Sequence, residues 1–170
     1  MLSTSLIKRL LSALNEELTK INARGEIGLC GGAVMCLVFH SRKTTKDVDG
    51  IFQPTQVIRK ASEKVAKKFG LTKSWLNDAA KTYFYTNPPR QSVMELSHLR
   101  IWAPSADYML AMKCISARFD THDKEDVEFL INHLHLKSAP EVFKVICHYY
   151  PETQIPTKTK FFVEEILSKK

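Results

Sequence analysis

Apolar residues recur at helical spacing along the first twenty positions, with Leu6, Leu10, Leu14 and Leu18 beside Ile7 and Leu11 and with Asn15, Glu16, Glu17 and Lys20 on the other faces. That pattern predicts an amphipathic helix from Ser3 to Ala23, capped by Ser3 or Thr4 and ended at Arg24-Gly25. It lacks the unbroken apolar core and small-residue cleavage site of a leader. A short apolar strand, Glu26 to Cys30, follows. After the pair Gly31-Gly32, the apolar segment Ala33 to His40 predicts a buried short helix. The polar loop Ser41 to Lys46 leads to a second strand, Asp47 to Phe52.

Farther on, Val57, Ile58, Ala61, Val65 and Phe69 form the stripe of a helix from Pro54 to Phe69, stopped by Gly70. Leu71 to Lys81 predict a turn and short helix. Strand composition marks Thr82 to Thr86, Ser92 to Glu95 and Leu99 to Trp102. From Ser105 the pattern is helical, over Ala106–Arg118, Lys124–Leu134, Ala139–His148 and about Thr159–Leu167. The order predicts an α+β fold, an α/β sandwich with a small mixed β-sheet, flanking helices and a helical C-terminal extension. Residues 1–104 would form the core with its N-terminal helix, and residues 105–170 a helical part packed on it as a single compact unit.

Length agrees, since 170 residues suffice for one well-buried core. A hydrophobic fraction of 44% is ordinary for a folded chain, and no apolar run approaches the roughly 20 residues that span a bilayer. The expected location is the cytoplasm, with no membrane partner. The four cysteines show no CxxC pair and lie among apolar residues, which predicts buried free thiols and neither a disulfide nor a zinc site. A net charge of +7 favours an anionic partner.

The chemistry concentrates in GLCGGAVMCLVFHSRKTTKDVDGIF. Side chains alternate along a strand, so Asp47 and Asp49 should point the same way and repel unless a cation lies between them. A divalent metal such as Mg²⁺ takes such oxygens together with phosphates. The backbone N–H groups of Gly31 and Gly32 suit a phosphate, and Arg42, Lys43 and Lys46 stand just before the acids. Thr45 is placed to orient Asp47 by a local hydrogen bond. The other reading of the loop is an ordinary solvated basic turn.

Two further features bear on an anionic partner. Lys113 interrupts an apolar helix face and must snorkel, pair with an acid or meet a phosphate, with Arg118, Asp123 and Asp126 as companions. Lys60, Lys64, Lys67 and Lys68 line one side of the Pro54 to Phe69 helix, as either a solvated face or a nucleic-acid contact. There is no GxGxxG, no GxxxxGK[ST] loop and no HExxH.

The glycine pair, a helix, a basic loop with Arg42 and Thr45, and then Lys46-Asp47-Val48-Asp49 resemble the nucleotidyltransferase superfamily, in particular its small AbiEii-like bacterial families. The WLNDA segment, LRIWAP and the region of Lys113, Arg118, Asp123 and Asp126 resemble later parts of the same families, so the similarity spans about Ile27 to Leu134. The arginine of the loop stands one residue farther from the acids than is usual there, and His122 replaces an arginine.

The resemblance implies Mg²⁺ or Mn²⁺ held by Asp47 and Asp49, with Glu95 as the strand-borne candidate for a third metal ligand. Gly31, Gly32, Arg42, Thr45, Lys113 and Arg118 would bind a nucleoside triphosphate (NTP), and Asp47, Asp49, Lys113 and Asp126 would be the catalytic set. It implies transfer of a nucleoside monophosphate to RNA, such as tRNA, or to a protein hydroxyl, in a toxin-antitoxin or phage-defence setting, with a cognate toxin or antitoxin as partner. The alternative is a catalytically inactive member that serves as an antitoxin or binding module.

Overall fold

The structure, a computed structural model, describes residues 1–117 and 122–168. It is an α+β fold with a five-stranded mixed sheet and a separate two-stranded pair. The elements are β1 (Leu2–Ser3), α1 (Thr4–Lys20), β2 (Gly25–Cys30), α2 (Gly31–Leu37), β3 (Thr44–Thr45), β4 (Val48–Gln53), α3 (Thr55–Phe69), β5 (Leu76–Asn77), β6 (Arg90–Glu95), β7 (Leu99–Pro104), α4 (Ala106–Ser116), α5 (Asp123–His133), α6 (Ala139–Tyr149) and α7 (Thr157–Ser168). No helix of the described residues is long and apolar enough to cross a membrane.

Two compact units divide the chain. The first, residues 1–81 and 90–104, holds all seven strands with α1, α2 and α3. Its sheet order is β5-β4-β2-β7-β6, with β2 antiparallel to β4 and parallel to β7. Ser3 caps α1 by accepting the Leu6 N–H at 3.2 Å, and the predicted stripe of Ile7, Leu10, Leu11, Leu14 and Leu18 is buried. Gly70 ends α3 in the left-handed region at φ 65°, which a side chain adopts only at a cost. The α3 lysine row is partly taken up against α1. Lys64 meets Glu17 at 3.6 Å and Lys68 meets Glu16 at 3.4 Å.

Three sequence expectations change here. The loop Ser41 to Lys46 contains β3, which pairs with β1, Leu2 opposite Thr45. Leu76–Asn77 within WLNDA form a short edge strand beside β4. Thr82 to Thr86 form no strand.

The second unit comprises residues 82–89 and 105–170, described to 168. Here α4 is buried from Tyr108 to Cys114, and α5, α6 and α7 pack around it, which is what a helix apolar on most sides requires. The backbone of Tyr83 and Thr86 accepts hydrogen bonds from the Tyr150 and Tyr108 hydroxyls instead of sheet partners. Burial pushes the Tyr149 hydroxyl up to about 12, and its hydrogen bond to Asp107 acts in the same direction. Burial also opposes charge on Asp107, but the hydrogen bonds it receives from Tyr149 and backbone amides outweigh this and hold its carboxyl below the usual range.

The cysteines carry no disulfide. Cys30, Cys36 and Cys114 are buried, and burial pushes the Cys114 thiol up to about 12. Cys147 departs from expectation, because its place on α6 is exposed.

In the first unit Trp102 lies flat against Gly28. A Cβ added there would be 2.2 Å from the indole ring. That ring is fixed by donation from its Nε1 to Glu26 at 2.9 Å and by the Arg90 guanidinium 4.2 Å from the ring centroid. Gly28→Ala should therefore cost about 1–3 kcal/mol in urea unfolding, and less in a Trp102→Leu background. An equal cost in both backgrounds would contradict this packing.

Candidate functional site

The glycine turn and the acids are brought together by register. Cys30, the last residue of β2, lies opposite Asp49 of β4. The chain then turns at Gly31, whose φ of 61° is left-handed, and enters α2. A Cβ on Gly31 would lie 2.9 Å from Asp49 Oδ2. One on Gly32 would lie 2.3 Å from Thr45 Oγ1 and 3.3 Å from Arg42 Nη1. Five residues picked out by sequence, Gly31, Gly32, Arg42, Thr45 and Asp49, thus meet around the first turn of α2.

Their surroundings follow from local structure. Val48, Gly50 and Phe52 alternate inward along β4, which leaves Asp49 and Ile51 on the half-buried side. Thr45 is 5% exposed and is fixed by its pairing with Leu2. Asp47 lies in the bend before β4, half-buried, so strand alternation does not govern its direction as the sequence implied. It makes no ion pair among the described residues. The arrangement offers hard carboxylate oxygens, a guanidinium and glycine backbone amides around one turn, a donor set suited to a phosphate-bearing ligand and a divalent cation.

Glu95 does not join this group, which corrects its assignment as the third metal ligand. It pairs in register with Arg100, which lies opposite Glu26, which in turn lies opposite Gln53. That row is at the other end of the sheet from the Cys30–Asp49 pair. Glu95 is exposed there and stands 3.5 Å from the Arg100 guanidinium. Among the described residues no three His, Cys, Asp or Glu side chains are grouped to hold a metal.

Lys113 and Asp126 belong to the second unit. The Lys113 ammonium is 2.8 Å from Asp123 Oδ1 and 2.7 Å from Asp126 Oδ2, and Lys113 and Asp126 are 7% and 1% exposed. This is pairing with acids, one of the three outcomes open to a lysine on an apolar face. It joins α4 to α5. Arg118 lies outside the described residues. His122, in the place of the expected arginine, bonds Glu125 at 3.0 Å.

Two basic residues escaped the sequence reading. Lys8 of α1 and His40 after α2 line a cleft with Arg42 and Lys43. No local signal marks them, because the pairing of β1 with β3 connects their two segments. No protein-family model, curated protein or solved structure matches the chain.

Removing one partner of a buried ionic cluster leaves charge desolvated without compensation. Lys113→Met should cost about 3–5 kcal/mol in denaturant unfolding. A loss below about 1 kcal/mol, the range of an exposed pair, would show that this cluster is not a structural tie.

Proposed function

We propose that the first unit binds a nucleoside triphosphate with Mg²⁺ and transfers its nucleoside monophosphate to a hydroxyl of RNA or protein. The observation that carries this reading is the convergence of Gly31, Gly32, Arg42 and Thr45 with Asp49. The ligand fits the residues present. Asp47 and Asp49 supply the oxygens that Mg²⁺ or Mn²⁺ prefers, and the missing side chains of the glycines let Thr45 Oγ1 and Asp49 Oδ2 come close to the turn. When bound, the metal supplies neutralising charge at the phosphates and the pyrophosphate leaving group.

The chain's own residues would do the rest. The Gly31 and Gly32 amides orient the β and γ phosphates, Arg42 offsets their charge, and Thr45 fixes the loop that carries Asp47. The acceptor hydroxyl oxygen bonds to the α phosphorus as the bond to the α–β bridging oxygen breaks; pyrophosphate leaves with that electron pair and the hydroxyl proton passes to water. The setting we propose is a toxin-antitoxin or phage-defence system.

Glu95 at the far end of the sheet favours a second reading, a binding module that retains the nucleotide site without the transfer step. Incubation with each of the four α-labelled NTPs, Mg²⁺ and RNA separates the two. Transfer predicts label in RNA or in a protein acceptor, lost in Asp49→Asn and Asp47→Asn variants with unaltered circular dichroism. A raised melting temperature with NTP and Mg²⁺ but no transfer would support the binding module. Neither response would overturn both.

A further inference from the structure

The cleft beside the candidate site has a volume of about 570 Å³ and is lined by Lys8, His40, Arg42 and Lys43 together with hydroxyls that include Ser3 and Ser5. No carboxylate and no Phe, Tyr or Trp is among its lining residues. Lys8, His40 and Lys43 are exposed and make no ion pair among the described residues.

Exposed cations elsewhere in the same unit fall into two groups: Arg24, Lys46, Lys60 and Lys67 also make no ion pair among the described residues, whereas others are paired. Lys64 and Lys68 face Glu17 and Glu16, Lys73 faces Glu63 at 3.3 Å, and Arg59 faces Asp78 at 3.0 Å. Those pairs cancel much of their own field. The cleft differs in gathering Lys8 and Lys43, neither of them in an ion pair among the described residues, on one concave surface with hydroxyls between them.

The basic residues are also distributed. Lys8 comes from α1, while His40 and Lys43 come from the segment between α2 and β3, with the β1–β3 pair holding the two together. Separated charges with hydroxyl donors between them suit a run of successive phosphates better than one small anion. With His40 as its one ring and no Phe, Tyr or Trp, the cleft makes its contacts chiefly to the backbone. His40 holds φ at 53°, a conformation that glycine takes more easily, so the imidazole is kept at the cleft against backbone preference.

We propose that this cleft binds the phosphodiester backbone of a nucleic-acid strand without regard to base sequence. Arg42 belongs both to the cleft and to the glycine turn, which leads a strand in the cleft toward Gly31 and Asp49. Its role as the acceptor of the transferred nucleotide rests on the reading given above; the binding itself does not.

Fluorescence anisotropy with a labelled single-stranded RNA, and with DNA of the same sequence, tests the cleft across a series of salt concentrations. Wild-type protein should bind one or both, more weakly as salt rises. In a K8Q/K43Q double variant the slope of log affinity against log salt should fall by about 1.4, about 0.7 for each lost phosphate contact. A K64Q/K68Q variant should stay within about twofold of wild type, because those lysines are already paired. Failure of nucleotide transfer with these binding results intact rejects only the transfer reading. Absence of binding, an unchanged slope in folded K8Q/K43Q, or a larger loss in K64Q/K68Q would overturn the proposal. So would a labelled polyglutamate peptide that binds through Lys8 and Lys43 when neither nucleic acid does, which would assign the cleft to an acidic protein.

Discussion

The antiparallel register of β2 on β4 is the constraint on which the candidate site depends. It sets Cys30 opposite Asp49 and so delivers the carboxylate to the residue where β2 turns into α2. A slip of one residue would exchange the faces of β4 and carry Asp49 into the layer that Val48, Gly50 and Phe52 occupy, where a charge is costly to desolvate. Close approach reinforces the register. A Cβ on Gly50 would lie 2.7 Å from the Gly28 carbonyl oxygen, and Gly28 is itself covered by Trp102. Small residues in the strands and at the turn let backbone, ring and carboxylate come together in one place.

Acids and bases are handled in three ways. Asp126 is deeply buried, and Lys113 compensates it within the second unit. Glu16 and Glu17 are spent against α3 lysines, at the small gain typical of exposed pairs. Asp49 and Asp47 remain half-buried around the glycine turn, and Lys8, His40 and Lys43 stand in the cleft without acid partners. The first two uses hold the fold together. The third gathers charge at the glycine turn and in the adjoining cleft, which is why the functional reading is built there.

Much of this was legible in the sequence because local rules govern it. The stripe and cap of α1, the stop at Gly70, the strands on either side of Gly31-Gly32 and the grouping of the basic loop with the acids all follow from periodicity and turn chemistry. What failed depended on partners distant in sequence. TYFYT has strand composition, but its aromatic and backbone groups serve the second unit, where Tyr108 and Tyr150 bond to Thr86 and Tyr83. Glu95 is strand-borne as expected, yet only the register with Arg100 reveals which end of the sheet it occupies. Lys8 is an ordinary surface residue of an amphipathic helix until two-residue strands place it beside the loop after α2.

The central claim is that a metal–nucleotide complex sits at the first turn of α2. Titrating isotope-labelled protein with Mn²⁺ and each NTP in turn, while following backbone amide signals, addresses it most directly. The account predicts selective broadening of the Gly31, Gly32 and Asp49 amides with at least one nucleotide, absent in Asp49→Asn. Unchanged signals from these residues with all four nucleotides, or broadening centred on the Glu95–Arg100 end of the sheet, would contradict it.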